Sequence, residues 1–386
     1  MMTLPKTAEV VIIGGGVMGA STAYHLAARG CTDVVLLEKE EFWGTGATGR
    51  CAGGIRHQFS TEINIRLSLL SLQMLRRFED EIGQAIDLRW PGYLFLLTRP
   101  EDVDRFRRHV ALQHRLGVQT RWLAPDDVAR RIPLIRTDDV LAATYNAGDG
   151  LADPAGVVQG YVDAAGRLGV KTLTGVEVTG VTTRNSRVCG VQTGQGLIQT
   201  PVIVNAAGPW AGLIGEMAGI DIPIVPLRRQ IAVTTALPEV PPDFPFVIDF
   251  AQSLYFHREG EGILTGQSNP HEQPGFDQTV DQDWTARHLT AAIDRFPLLA
   301  KAGLLAEWAG LYEVTPDAHP ILGRVPDLEG FIIAAGFSGH GFMHGPITGL
   351  LVAEIILDGA AHTLDIGQLN LARFREKREI REMNVV

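Results

Sequence analysis

Val10-Val11-Ile12-Ile13-Gly14-Gly15-Gly16-Val17-Met18-Gly19 decides the fold of this chain. Four consecutive apolar residues predict a short strand buried on both faces, as at the centre of a parallel sheet. Gly14, Gly16 and Gly19 complete a G-x-G-x-x-G pattern with Val17 and Met18 between them. Such glycines permit a tight turn, close approach of a pyrophosphate and close helix–strand packing. A helix over Ala20 to Arg29 follows, ending at Gly30, and Val34 to Leu37 reads as a second buried strand. Glu38 closes that strand, 19 residues after Gly19, with Lys39 beside it. An acidic side chain at this place accepts hydrogen bonds from ribose hydroxyls. The helix N-terminus offers free N–H groups and a partial positive charge to an anion. Strand, turn, helix and acid together predict a dinucleotide site.

The next stretch narrows the dinucleotide. Glu41 to Gly49 holds Gly44, Gly46 and Gly49 with Thr45 and Thr48. Such a loop can follow an extended cofactor past its pyrophosphate, which favours FAD over a nicotinamide. Arg50 and Arg56 then flank Cys51-Ala52-Gly53-Gly54-Ile55.

Further along, the chain alternates between two kinds of material. Helices are expected over Thr61 to Ile82, Glu101 to Leu116, Pro125 to Arg131, Ala155 to Leu168 and Asp283 to Arg295. Asp153-Pro154 supplies an N-cap and a first-turn proline for the fourth of these. Strands are expected at Tyr93 to Leu97, Val176 to Thr182, Val188 to Thr193, Val202 to Val204 and Phe331 to Ala335. The last runs into Gly336 to Gly341 and a helix over Pro346 to Leu357. At 386 residues the chain exceeds one typical core. The expectation is an α/β (α+β overall) architecture. A Rossmann-like FAD-binding domain is assembled from 1–85, 149–218 and 318–386. A substrate domain with a mainly antiparallel sheet takes 86–148 and 219–317. The tail Arg373 to Glu382 alternates basic and acidic residues and reads as a solvated, salt-bridged helix.

Composition excludes several classes. The net charge of −10 disfavours nucleic-acid binding. Cys31, Cys51 and Cys189 form no C-x-x-C pair and no metal-ligand spacing, so free thiols and no metal are expected. The longest apolar stretch, Phe331 to Leu357, is broken by glycines, Ser338, His340 and His344, so no membrane span is expected. Met1 to Glu9 is too short and polar for a signal peptide. The expected location is cytoplasmic.

At this point the chain resembles the D-amino-acid-oxidase-type FAD-dependent oxidoreductases, in their glycine/sarcosine oxidase branch. Within that branch it is similar to the β-subunit type of the archaeal dye-linked L-proline dehydrogenases. The resemblance covers nearly the whole chain. It is carried by Val11 to Gly19 with Glu38, Gly46 to Arg50 through Arg56, and Asp149-Gly150 with Asp153-Pro154. Val204 to Trp210, Trp308-Ala309-Gly310, Thr315-Pro316-Asp317 with Pro320 and Gly323, and Ala334 to Phe342 complete it.

The resemblance implies a substrate-domain sheet roofing a flavin, and oxidation of an amino acid's C–N bond to an imine that water hydrolyses. It implies cofactor contacts at Val178, Ala207, Gly208, Trp210 and Gly310. It also places Gly336, Ser338, Gly339, His340, Gly341 and Phe342 under the flavin's pyrimidine end. A helix N-terminus there stabilises the negative charge of reduced flavin. The resemblance puts a carboxylate-binding arginine at Arg56 and an active-site tyrosine at Tyr255. Strand alternation gives His257 the same face as Tyr255.

The chain also departs from its likenesses. Tyr312 stands where glycine oxidases carry a carboxylate-binding arginine. Met343 and Leu264 stand where monomeric sarcosine oxidases carry lysines, the second of them oxygen-activating. Met343 and Gly53 could make room for a bulkier substrate. The histidine and cysteine that attach flavin covalently in similar enzymes are absent, which leaves noncovalent FAD; Cys51 reads as a small buried residue. The expected activity is oxidation of a secondary amine, an N-substituted glycine before all, with oxygen as acceptor and peroxide as product. The alternatives are the catalytic subunit of a dye-linked proline dehydrogenase, with a partner subunit, or a flavin-binding non-catalytic partner in a heteromeric complex.

Overall fold

A computed structural model describes residues 4–385. Met1 to Thr3 and Val386 lie outside the described residues, and with them the outer ends of the expected ranges 1–85 and 318–386. Two large sheets dominate. The first has six strands in the order 321–324, 331–335, 202–205, 10–13, 34–37, 171–173. All its neighbours are parallel except the outermost pair, 321–324 with 331–335. The strand Val10–Ile13 is buried at every position: Val10 and Ile12 pack on helices, and Val11 and Ile13 face the three-stranded sheet over 178–199 and the short helix Ala211–Met217. Its carboxyl end opens into the turn Gly14 to Gly16 and the helix Val17–Ala28.

The second sheet has eight strands, in the order 304–314, 225–234, 262–267, 254–259, 246–249, 93–97, 142–146, 121–123. It is antiparallel except where 246–249 runs parallel to 93–97. Its strands come from 93–146 and 225–314, so the chain crosses between the two sheets more than once. A buried ion pair ties this part together: Arg295 binds Asp249 at 2.8 Å and Asp139 at 2.6 Å. A third, three-stranded sheet covers 178–199.

Three expectations are corrected. The single helix over 61–82 is two, Glu62–Arg76 and Phe78–Ile82. Arg77 leaves the helical region there, and the reset keeps Phe78 buried, edge-on to Tyr161. The last long helix starts at Gly341, not Pro346. Its early glycines have poor helix propensity, but they let it approach the helix Val17–Ala28: a Cβ at Gly345 would overlap Val17. Packing thus overrides propensity. The tail is not a solvated helix. Only Ala372–Arg375 is helical, Arg373 is buried on Asp317 at 2.8 Å, and Glu382 is 0% exposed.

Candidate active site

A cleft of about 650 Å³ lies at the carboxyl ends of the central parallel strands, the usual ligand position in such sheets. Gly14 and Gly16 form its floor with Val17 and Met18. Gly14 has φ +109°, and a side chain there would overlap the Ala206 carbonyl, so only glycine fits. Gly19 lies in the first helical turn, against the backbone of Gly14. Glu38 accepts hydrogen bonds from the Gly15 N–H at 2.7 Å and the Glu40 N–H at 2.9 Å. Its carboxylate is thereby fixed at the cleft wall with lone pairs left for hydroxyl donors.

Opposite, Thr48 accepts from the Val17 N–H at 3.2 Å. Gly49 donates to the Gly44 carbonyl at 2.7 Å and closes the loop that carries Gly46 and Thr48 to the cleft. Lys39 sits 3.7 Å from the centre of the Trp210 ring, which stacks on Phe276. Val178, Ala207 and Gly208 line the same end. At the other end stand Arg50, Cys51, Gly339, Gly341 and Phe342. Gly336 lies behind the wall, packed on Thr315 and Ile224.

A second, smaller cavity of about 90 Å³ adjoins this end. Arg50, Cys51, Tyr312, Gly339 and Phe342 line both spaces, so one opens onto the other. Gly310, Ser338, His340, Tyr255 and Arg56 line the smaller one. Gly310 abuts the Arg50 side chain, and Gly339, at φ +96°, admits the Tyr312 ring where any side chain would overlap it. His340 caps the helix Gly341–Leu357. Burial holds its ring well below the ordinary histidine range, and both of its nitrogens lack partners.

Arg56 reaches the cavity with its guanidinium already engaged. It is 4% exposed, donates to the Gln58 and Asn384 carbonyls at 2.6 Å each, and lies over the Phe59 ring. The segment after it is pinned by Asp149, which accepts from the His57 backbone N–H, contacts the His57 ring at 2.7 Å, and accepts from Gln58. Asp149 thus acts through its carboxylate on the segment that carries Arg56. His257 is not at the site. Its ring is 1% exposed, stacks on Phe246, has Nδ1 2.9 Å from the Arg258 carbonyl, and lines neither cavity. Leu264 is packed into the apolar cluster around Ile231, Val233 and Tyr255. Gly53 makes no extra room: it has φ +68°, and a Cβ there would stand 2.7 Å from the Ala152 carbonyl. The small volume likewise opposes a bulky substrate.

Sequence reading missed Arg229. It lies on the strand Val225–Thr234, opposite Gly310, and lines the small cavity with Ile231. Its signal was an arginine two residues before Ile231, in register with an apolar face. Its guanidinium donates to the Arg228 carbonyl at 2.8 Å and lies 5.0 Å from the Tyr312 ring centre, while Nε has no partner. Burial lowers its pKa; Tyr312, Tyr255 and Glu272 oppose that shift. Burial also raises the pKa of Tyr312 and raises that of Tyr255 strongly, so both phenols stay protonated. Tyr93 and Phe246 complete the wall.

Glu313 was missed too. It is 9% exposed at the large cleft, with Oε2 unpartnered. Burial pushes its carboxyl up to about 7, against the Gly336 and Phe337 N–H donors.

The donor set suits FAD. A glycine cradle and helix N-terminus would meet a pyrophosphate, Glu38 would meet ribose hydroxyls, and the helix start at Gly341 faces the end next to the small cavity. Cys51 remains a thiol, its pKa pushed to about 11 by burial, which disfavours a thioether link. Among the described residues there is no metal-ligating cluster, and no helix is long and apolar enough to cross a membrane.

The chain is similar over most of its length to known flavoenzymes. The family model described as "FAD dependent oxidoreductase" (DAO) matches residues 9–355. The chain is 32% identical to the mitochondrial sarcosine dehydrogenase of Homo sapiens over 98% of its own length, but covers only 43% of that protein. It spans less than half of the dimethylglycine dehydrogenase of Rattus norvegicus as well. Among solved structures, L-proline dehydrogenase from P. horikoshii superposes with a TM-score of 0.90 at 36% identity, over 98% of this chain and 100% of that one. Glycine oxidase from Geobacillus kaustophilus gives 0.85 at 26% identity, over 95% and 99%.

Proposed function

This chain belongs to the DAO family of FAD-dependent oxidoreductases, and from that premise we propose that it oxidises the C–N bond of a small amino acid carrying a secondary amine, an N-substituted glycine or proline. The observation that carries this reading is Arg229. Among the described residues no carboxylate lies within salt-bridge distance of its guanidinium, and Nε is unpartnered at the wall of a cavity opening onto the cofactor cleft. A half-buried cation without a counter-ion has lost part of its hydration uncompensated, and a substrate carboxylate relieves that cost. Tyr255 and Tyr312, held neutral, donate to the same carboxylate or close over the amine's substituent. The names of the relatives, dehydrogenases and oxidases of sarcosine, dimethylglycine, proline and glycine, support the same substrate class.

Bound FAD supplies an acceptor for the hydride equivalent that leaves the substrate carbon. The chain's own residues do the rest. Arg229 fixes the carboxylate and thereby the carbon beside it. Arg56 and Arg229 both line the cavity, and two cations there favour the neutral amine over the ammonium ion. His340, held neutral by burial, adds no further charge beside the amine, whose proton is left to solvent on entry. The imine product then meets water outside the cavity.

The reading is tested by mixing the yellow protein anaerobically with sarcosine, proline, glycine and dimethylglycine. Flavin bleaching by the secondary amines ahead of glycine is expected. No bleaching by any amino acid would leave a flavin-binding, non-catalytic role. Admitting air afterwards separates an oxidase, which recolours and yields peroxide, from a dehydrogenase that needs another acceptor or a partner subunit.

A further inference from the structure

The segment 382–385 is bound far more tightly than the alternating charges that lead into it, Arg373 to Glu382, suggest. Glu382 is fully buried and accepts from the Ser60 N–H at 2.8 Å and the Ser60 hydroxyl at 2.5 Å. It also accepts from the Thr61 hydroxyl at 2.7 Å, Asn64 at 3.1 Å and the Asn384 N–H at 2.9 Å. Its own N–H donates to the Asp317 carbonyl at 3.0 Å. Met383 donates to the Ser60 hydroxyl at 2.8 Å, and the Asn384 amide donates to the Gln58 carbonyl at 3.2 Å. These bonds hold the Glu382 carboxyl below the usual range although burial opposes them. The Asn384 carbonyl takes one arm of Arg56. The next residue, Val385, lines the small cavity together with Arg56, Tyr93, Phe246, Tyr255 and Met343.

We propose that the segment 382–385 is a built wall of the substrate cavity, in which Asn384 positions Arg56 and Val385 sets the size of the substrate. This deepens the proposed function and rests on its placement of a carboxylate in that cavity. Two features separate a wall from a loose end. The clamp on Glu382 is complete, with a hydrogen bond from each of three side chains. The clamp also lies only two residues before Asn384, so little slack remains between anchor and cavity. The cavity holds about 90 Å³, so a single valine side chain is a sizeable share of its wall. Removing two methyl groups from it leaves their volume open to a ligand.

The test uses the FAD-loaded protein with Val385→Ala, Val385→Phe and Glu382→Gln. The first readout needs no turnover: the flavin absorbance shift on titration with acetate, propionate and butyrate. The second is anaerobic flavin reduction by N-methyl-, N-ethyl- and N-propylglycine. For Val385→Ala the preference for the longer over the shorter ligand should rise about fourfold per added methylene, the ~0.8 kcal/mol per buried CH₂ converted at ~1.4 kcal/mol per tenfold. Val385→Phe should lose the longer ligands first. Glu382→Gln should weaken all ligands and blur their ranking. FAD content, read from the absorbance ratio, should be kept in all three variants, because neither Val385 nor Glu382 lines the cofactor cleft. A residue with only a structural role would lower FAD content or stability and leave the ligand ranking alone. Unchanged size ranking in both Val385 variants overturns the proposal, as does a cavity that no carboxylate reaches in any variant. Carboxylates that titrate with a shifted ranking, in a protein no amine reduces, would keep the wall and sink the oxidation.

Discussion

Replacing Arg229 with methionine should lower activity and raise stability together. In the folded protein the guanidinium spends one bond on the Arg228 carbonyl and leaves Nε empty. A carboxylate that meets it gains charge-assisted hydrogen bonds, each contributing about 1.5–3 kcal/mol. Removing the cation leaves the bound carboxylate in the cavity with the neutral phenols of Tyr255 and Tyr312 and with Arg56, whose guanidinium is already engaged by two carbonyls. A loss of about 3–4 kcal/mol in kcat/KM is expected, a hundred- to a thousandfold at ~1.4 kcal/mol per decade. Without substrate the balance reverses. The wild-type pays for burying a cation that no carboxylate neutralises, and methionine of similar reach relieves that. A gain of about 1–2 kcal/mol, or a few degrees in Tm, should follow. Stopped-flow flavin reduction against substrate concentration reads the first effect, and thermal melts of the same samples read the second. Arg229→Lys should fall between, since it keeps the charge and loses the planar fork. Reduction kinetics of Arg229→Met that match the wild type would refute the assignment of the carboxylate to Arg229.

Arg56→Met should behave in the opposite way on stability: it strips donors from the buried Gln58 and Asn384 carbonyls, at about 1–3 kcal/mol for each acceptor left unpaired. A lower Tm with FAD content retained is expected, and an unchanged Tm would show those bonds to be worth little. Glu38→Arg should cost FAD affinity, because a cation can neither accept from the Gly15 N–H nor meet ribose hydroxyls; equilibrium dialysis of the flavin checks it. Acid or heat should release all flavin into the supernatant, and flavin left on the precipitate would move attention to Cys51. In the FAD-free protein, Glu313 holds a proton up to about pH 7, whereas an unfolded glutamate has shed it by about 4.5. The folded state then binds more protons across that window, so stability should fall as pH rises through it, by on the order of 3 kcal/mol. Glu313→Gln should flatten that slope in urea titrations at pH 5 and pH 8; a slope that survives would place its origin elsewhere.

The cofactor half of this molecule was legible because its signals are local. Val10 to Gly19 fixes strand, turn and helix within ten residues, and Glu38 needs only one further strand to arrive beside the Gly15 N–H. The substrate half was not, because its chemistry is assembled by register across a sheet and by a distant segment. Arg229 faces the cavity only because strand 225–234 pairs with 304–314 so that Arg229 meets Gly310, and no local pattern encodes that partner. Arg56 was legible as a residue but not as a role. Its guanidinium is claimed by a carbonyl 328 residues away, on a stretch whose alternating charges suggest solvent. His257 failed for the complementary reason. Alternation gives it the face of Tyr255, but the Phe246 ring stands between it and the cavity. A strand's period says which face a side chain takes, and only packing says what covers that face. The consequence for this site is specific: its two cations, Arg56, which the sequence offered, and Arg229, which it did not, differ in how many of their donors the fold has already used, and the one with donors to spare is the one a substrate can find.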